Sequence, residues 1–164
     1  MNLYLSELVE RYQSKGVLVD TNLLLLLIIG SADRDLVSKF KRTKQFTAED
    51  FDLLYKFLEL FKAIYTTPHV LTEVGNLANT LPMDQKPLFA ETFREIGQLF
   101  EEKHALFKLL SNKPEFVAYG LTDVSILDLA PEQALILTDD FPLANNAQNQ
   151  GLDVINFNHI RFYL

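Results

Sequence analysis

The sequence of 164 residues predicts an α/β protein, a three-layer α/β/α sandwich around a short and mainly parallel sheet. The first observation behind this prediction is alternation, because strand-like segments at 17–19, 63–65, 134–137 and 153–156 are separated by segments of helical periodicity. Strands that alternate with helices form a parallel sheet covered by helices on both faces. The second observation is that residues 17–19, Val-Leu-Val, are wholly apolar, as is typical of a strand buried on both faces. No linker divides the chain, so we expect one domain over residues 1–164.

The first helices of the chain have recognisable ends. A leucine-rich run at 23–29 follows the first strand almost directly and predicts a buried helix. Thr47 and Asp50 have the spacing of a capping box, with Asp50 in place of the usual Glu or Gln, and predict a helix from there to about residue 61. Thr67 and Pro68 suit the N-cap and the first position of the next helix.

The stretch from residue 86 to 129 is predicted as two helices joined by extended chain. Apolar side chains at roughly helical spacing predict a helical region over 86–110, and they are Phe89, Phe93, Ile96, Phe100 and Phe107. The residues of 116–119 predict extended chain. Thr122 then begins a helix that runs to Leu129.

The composition excludes several classes of site. The chain has no cysteine and three histidines, which excludes disulfides, a thiolate nucleophile and a zinc site built on His and Cys. Its six glycines are dispersed, so no P-loop or dinucleotide-binding fingerprint is present. Twenty-two acidic and 15 basic residues give a net charge of −7, which disfavours nucleic-acid binding by the whole surface. The longest apolar run is too short for a bilayer and the N-terminus has no basic signal-peptide region, so we expect a cytoplasmic protein with no membrane partner.

Carboxylates occur where an α/β fold binds its ligands. Asp20 directly follows the first strand, and the pair Asp139 and Asp140 follows the third. Glu73 lies in the helix after the second strand, and Asp123 begins the helix before the third. Taken singly, each residue has an ordinary structural role as an N-cap, a turn residue or a solvated helix acid. Gathered at the carboxyl edge of the sheet, they would repel one another unless a cation neutralised them, and oxygen ligands select Mg²⁺ or Mn²⁺.

Four segments in a fixed order carry a resemblance to a known family. They are Val17-Leu18-Val19-Asp20-Thr21-Asn22, the segment 66–74 that contains Glu73, the segment 121–127 that contains Asp123, and Leu137-Thr138-Asp139-Asp140-Phe141-Pro142-Leu143. Over residues 16–157 the chain resembles the PIN-domain nucleases, most closely the VapC-type toxins of type II toxin–antitoxin modules. It departs from the small toxins in its longer connections, and the segment between Glu73 and Asp123 is expected to hold an enlarged helical region.

The resemblance implies a site and an activity. It implies a ribonuclease that uses Mg²⁺ or Mn²⁺ to hydrolyse RNA phosphodiester bonds, with Asp20, Glu73, Asp123 and Asp140 as catalytic residues. Of these, the metal ligands would be Asp20, Asp123 and Asp140. The supporting polar groups would be Asn22, Thr138 and Asp139, and the choice between Asp139 and Asp140 as ligand stays open. It also implies an antitoxin protein that covers the site and a homodimer.

The role of a basic run has two interpretations. Lys39, Lys41, Arg42 and Lys44 are candidates for RNA contact, with Phe40 for base stacking, although a solvated charged loop explains the same residues.

The alternative to a nuclease is a catalytically inert PIN-like module that binds RNA or protein. A phosphatase with Asp-x-Asp after the first strand is less consistent with the sequence because position 22 is Asn22.

Overall fold

A computed structural model describes residues 3–130 and 134–161. The helices are α1 (Leu3–Tyr12), α2 (Thr21–Ala32), α3 (Ala48–Leu58), α4 (Pro68–Ala78), α5 (Lys86–Gly97), α6 (Phe107–Leu110), α7 (Phe116–Leu129), α8 (Phe141–Asn149) and α9 (Phe157–Arg161). The strands are β1 (Val17–Val19), β2 (Ile64–Thr66), β3 (Phe100–Glu102), β4 (Leu135–Thr138) and β5 (Val154–Asn156).

Within this described part of the chain the strands form one parallel sheet in the order β3-β2-β1-β4-β5. Val17 of β1 is paired with Ile64 of β2 on one side and with Leu135 of β4 on the other. Strands β2 and β3 therefore lie on one side of β1, and β4 and β5, which come later in the chain, lie on the other side. Right-handed crossovers place helices on both faces of such a sheet. The predicted three-layer α/β/α sandwich is confirmed, and the sheet is parallel throughout.

Helix α2 is the centre of the core on one face of the sheet. Its residues from Leu23 to Gly30 are all buried, because the helix packs against α3, α4 and α5 as well as β4. A helix surrounded in this way is apolar all round rather than amphipathic. It is 12 residues long. Among residues 3–130 and 134–161, no helix has both the length and the apolarity needed to span a bilayer.

The helix ends predicted from the sequence are present. The Thr47 hydroxyl accepts a hydrogen bond from Asp50 N–H at 3.2 Å, and the Asp50 carboxylate accepts one from Thr47 N–H at 2.8 Å, which completes the capping box of α3. Thr67 caps α4 by accepting from Val70 N–H at 3.1 Å, and Pro68 occupies the first turn. These ends depend on local hydrogen bonds, which is why the sequence predicts them well.

The prediction for residues 86–129 is wrong in two places. The helical region over 86–110 is interrupted, because Phe100 belongs to strand β3, which pairs with β2. Residues 116–119, predicted as extended, form the first turn of α7, where Phe116 packs edge-to-face on Phe107 of α6. The enlarged segment between Glu73 and Asp123 is therefore only partly helical. A three-residue edge strand is defined by its partner strand rather than by its own pattern, so the spacing of its apolar residues does not reveal it.

Candidate functional site

The sheet reverses its strand order between β1 and β4, and the candidate site lies at the carboxyl ends of these two strands. Asp20 follows β1 and caps α2, while Asp139 and Asp140 follow β4. In an open parallel sheet, the crevice at the point where the strand order reverses is where ligands bind. The fold thus brings together acids that are more than a hundred residues apart in the sequence.

Hydrogen bonds link the two strand ends. The Asp20 carboxylate accepts from Thr21 N–H and from the Thr138 hydroxyl, each at 2.5 Å. The Thr138 hydroxyl in turn accepts from Asp140 N–H at 3.0 Å. Asp140 caps α8 by accepting from Leu143 N–H at 2.9 Å. Asp20 and Asp140 therefore have the structural role of N-caps and also lie at the site.

A hydroxyl contact joins α4, the helix that carries Glu73, to α7, the helix that carries Asp123. The Ser125 hydroxyl donates to the Thr122 carbonyl at 2.6 Å and lies 3.0 Å from the Thr67 hydroxyl, at the start of α4. Both hydroxyls are buried. This pair was not predicted from the sequence. The available signal was Ser125 itself, a hydroxyl residue inside an otherwise apolar helical segment.

The four predicted catalytic residues line one cavity of about 370 Å³, and they are Asp20, Glu73, Asp123 and Asp140. Thr21, Asn22 and the turn from Tyr119 to Thr122 complete the lining. Gly120 has a φ of 78°, in the left-handed region that favours glycine, and it interrupts α7 at the wall of this cavity. No basic residue is among the described residues that line the cavity.

The electrostatics of the cavity are those of crowded carboxylates. Burial raises the pKa of Asp20 to about 7, and repulsion from Asp123 and Asp139 adds to this, against the hydrogen bonds from Thr138 and Thr21. Burial likewise raises the pKa of Asp123 to about 7, with further contributions from Asp140 and Glu73. Since only a cation or a proton can relieve this repulsion, the site favours binding of positive charge.

Asp139 and Asp140 have different environments although they are adjacent. Asp140 lines the cavity, whereas Asp139 is not among its lining residues. Burial raises the pKa of the Asp139 carboxyl, and a hydrogen bond from Asn22 opposes that rise. The Asp139 carbonyl accepts from the Asn158 side chain at 2.8 Å, and its Oδ1 is buried with no hydrogen-bond partner among the described residues. Of the two, Asp140 is the better placed to reach a ligand in the cavity.

The donor set fits a hard cation, with one restriction on how it would be held. Among the residues that the structure describes, no three His, Asp or Glu side chains lie close enough together to hold one ion as they stand. Mg²⁺ commonly binds through one or two carboxylates and keeps several water ligands, so it does not require a complete cage of side chains. Asp20, Asp123 and Asp140 all line the cavity and are the aspartates that would hold such an ion.

The basic run is an exposed loop, but Phe40 is not available for stacking. Lys39, Lys41, Arg42 and Lys44 are exposed, whereas Phe40 is 5% exposed and belongs to the core. The proposal of base stacking on Phe40 is therefore wrong. The reason is a tight turn in which the nearby Thr43 hydroxyl donates to the Val37 carbonyl at 2.7 Å, while the core covers the aromatic ring.

The end of the basic loop returns to the carboxyl edge of the sheet. The carbonyl of Gln45 accepts from Arg161 of α9 at 2.9 Å, and Phe46 packs edge-to-face on Phe157. Phe157 directly follows β5. The loop is thus anchored beside the edge of the sheet that carries the cavity.

No protein-family model matches the chain, and no curated protein is significantly similar to it in sequence.

Proposed function

We propose that the chain is a metal-dependent ribonuclease that hydrolyses RNA phosphodiester bonds with Mg²⁺ or Mn²⁺. The observation that supports this most strongly is the convergence of Asp20, Glu73, Asp123 and Asp140 on one cavity at the reversal point of the sheet. None of the described residues that line the cavity balances their charge. Asp20 and Asp140 lie there as N-caps, but capping does not explain why Glu73 and Asp123 line the same cavity. The resemblance to PIN-domain nucleases supports RNA as the substrate.

The proposed roles follow from the position of each residue. Asp20, Asp123 and Asp140 would hold the ion. A bound divalent ion lowers the pKa of a coordinated water and polarises the scissile phosphate. Glu73, which lines the same cavity, would orient the attacking water by accepting a hydrogen bond from it. Thr138 and Ser125 would act by positioning other groups of the site. Thr138 fixes the Asp20 carboxylate, and Ser125 joins α7 to α4.

We further propose that the chain is the toxin of a toxin–antitoxin pair and that it forms a homodimer. Both parts rest on the family resemblance. The cavity adds one physical argument for an antitoxin: a basic side chain inserted among these carboxylates would gain attraction from several of them at once. Such a partner would compete with the metal ion for the same site.

The test compares metal-dependent cleavage of a single-stranded RNA by the wild-type protein, Asp20→Asn and Asp123→Asn. Asp84→Asn, an identical change at an exposed loop residue, is the matched control. We expect wild type and the control to cleave RNA with Mn²⁺ and to be inactive with EDTA. The two site variants should lose at least about a hundredfold in rate, because each removes a charge that the cation needs. Full activity of Asp20→Asn would refute the assignment.

A second measurement separates the nuclease from the inert module. Binding of Mn²⁺ to the folded chain alone raises the melting temperature, by linkage. We expect this rise in wild type and in Asp84→Asn, and a smaller rise in Asp20→Asn. A wild-type chain that binds RNA without cleaving it, and whose melting temperature is unchanged by Mn²⁺, is the inert binding module instead.

A further inference from the structure

Thr21 lines the cavity beside Asp20 and has a buried hydroxyl that none of the acids accepts from. Thr21 is the first residue of α2 and lines the cavity between Asp20 and Asn22. It is 5% exposed, and its Oγ1 is buried without a hydrogen-bond partner among the described residues. Most buried hydroxyls in folded proteins are hydrogen-bonded, so an unpartnered one at a cavity needs an explanation.

Asp20 is adjacent but is not the partner of this hydroxyl. The hydrogen bonds that its carboxylate accepts come from Thr21 N–H and from the Thr138 hydroxyl. The Thr21 hydroxyl is thus an unpartnered donor in the wall of a cavity whose charged groups are all acceptors when ionised. A donor in such a place is suited to an acceptor that is not part of the chain.

A second feature favourable to anions lies in the same wall. Gly120 interrupts α7, so the nine residues from Leu121 to Leu129 form a separate helical stretch whose first turn lines the cavity. The first turn of a helix attracts anions through its backbone N–H groups and its dipole. The cavity thus combines acids that suit a cation with a hydroxyl and a helix start that suit an anion.

We propose that the Thr21 hydroxyl and the turn at Leu121–Thr122 hold a non-bridging oxygen of the scissile phosphodiester. Thr21 donates a hydrogen bond to that oxygen and is thereby a substrate-contacting residue rather than a metal ligand. The inference rests on the proposed nuclease function, because an anionic phosphate enters the cavity only when a cation balances the carboxylates. It assigns to the cavity two subsites, one for the ion and one for the phosphate.

The test uses Thr21→Val, which removes the hydroxyl at nearly constant volume, and Thr21→Ser, which keeps it. Thr66→Val is the matched control. Thr66 is also fully buried with an unpartnered Oγ1, but it lies at the end of β2 and is not among the residues that line the cavity. The same chemical change is thus made at two buried threonines, of which only Thr21 lines the cavity.

Two readouts are measured for each variant. The first is the dissociation constant of a fluorescent 12-nucleotide single-stranded RNA, by anisotropy with Ca²⁺ in place of Mn²⁺ to suppress cleavage. The second is the rise of the melting temperature caused by Mn²⁺ alone. In addition, steady-state cleavage rates measured with Mn²⁺ separate effects on KM from effects on kcat.

For Thr21→Val we expect RNA binding about tenfold weaker and a correspondingly higher KM. This loss of affinity corresponds to the removal of one hydrogen bond to a charged group. Its response to Mn²⁺ alone should equal that of wild type. Thr21→Ser should bind RNA within about twofold of wild type, and Thr66→Val should match wild type in both readouts.

Three results would overturn the inference while leaving the nuclease proposal intact. The first is that Thr21→Val binds RNA as tightly as wild type. The second is that Thr21→Val loses its response to Mn²⁺, which would make the hydroxyl a metal ligand. The third is that Thr21→Val and Thr66→Val weaken RNA binding equally. A wild-type chain that shows neither Mn²⁺ binding nor RNA cleavage refutes the proposed function, and the inference falls with it.

Discussion

The hydroxyl of Thr138 donates a hydrogen bond of 2.5 Å to the carboxylate of Asp20, across 118 residues of sequence. Thr138 ends β4 and Asp20 follows β1, so this bond joins the two strands at the point where the sheet reverses its order. Both side chains are buried. The Thr138 hydroxyl fixes the buried Asp20 carboxylate and also accepts a hydrogen bond from the Asp140 N–H, and in this way one threonine positions two of the predicted ligands.

Thr138→Val should therefore destabilise the fold, whereas Thr138→Ser should not. Valine fills a similar volume but removes one of the two hydrogen bonds that the buried Asp20 carboxylate accepts, and it removes the acceptor of the Asp140 N–H. We expect a loss of about 1–3 kcal/mol in the free energy of unfolding, measured by urea denaturation.

The control for this change is Thr80→Val, since Thr80 is exposed and its hydroxyl donates only to the Leu77 carbonyl at 2.9 Å. Its effect should stay within about 0.5 kcal/mol. Equal stability of Thr138→Val and wild type would mean that the bond to Asp20 contributes nothing to folding.

The metal-free protein should become less stable as the pH rises from about 4 to about 7. Asp20 and Asp123 have their pKa raised from the ordinary value of 3.8 to about 7 in the folded chain. Between these values the folded chain binds more protons than the unfolded chain, so the free energy of unfolding decreases as the pH increases. Each of the two carboxyls contributes a slope of at most about 1.4 kcal/mol per pH unit.

Urea denaturation at several pH values, with EDTA present, measures this slope. Asp20→Asn removes one of the two groups and should flatten the dependence, making the variant more stable than wild type near pH 8. Mn²⁺ should have the same flattening effect on wild type under the proposed function, because it replaces the protons. A stability that rises with pH in this window would show that both carboxyls are stabilised as anions by the fold itself.

Gly30→Ala should destabilise the packing of α2 on α3. A Cβ at position 30 would lie 2.2 Å from the ring of Phe51, which is closer than real carbon atoms approach. Because both residues sit in packed helices, we expect a cost of about 1–3 kcal/mol from the forced shift. Circular dichroism during urea denaturation would measure it.

The matched control is Gly75→Ala in α4, where a Cβ meets no atom within 4 Å. Removing a glycine from the interior of a helix stabilises it by about 0.5–1 kcal/mol when there is room. The two substitutions are chemically identical and should have opposite signs. Stabilisation by both would show that the ring of Phe51 moves aside without cost.

The basic loop should contribute to RNA affinity through charge alone. If Lys41 and Arg42 contact phosphates, changing both to Ala removes two ionic contacts from a single-stranded RNA complex. The slope of log K against log salt should then become shallower by about 1.4. Fluorescence anisotropy at several salt concentrations measures this slope.

Lys56→Ala combined with Lys62→Ala is the control, because these exposed lysines lie at the end of α3 and just before β2, at the opposite edge of the sheet. This pair should leave the slope unchanged. An unchanged slope in the loop variant would identify residues 39–44 as a solvated loop that takes no part in binding.

Local features of this chain were predictable because their causes are local. The capping box at Thr47 and Asp50 and the cap and proline at Thr67 and Pro68 depend on atoms within one helical turn. The alternation of strands and helices follows from periodicity and predicted the class of fold. By contrast, strand β3 exists because Phe100–Glu102 pair with β2, and Phe40 is buried because the turn around Thr43 and the core enclose it.

The order of residues was enough to predict an α/β chain with carboxylates after its strands and at its helix starts. The folded chain shows in addition that Asp20, Glu73, Asp123 and Asp140 share one cavity and that Asp139 is outside its lining. It also shows that the hydroxyl of Thr21 has no partner among the described residues. The physical reason is that strand order is set by long-range pairing, so the residues that meet at its reversal point cannot be known from segments read one at a time. Burial and mutual repulsion, which alter the pKa of these acids, likewise exist only once the chain has folded.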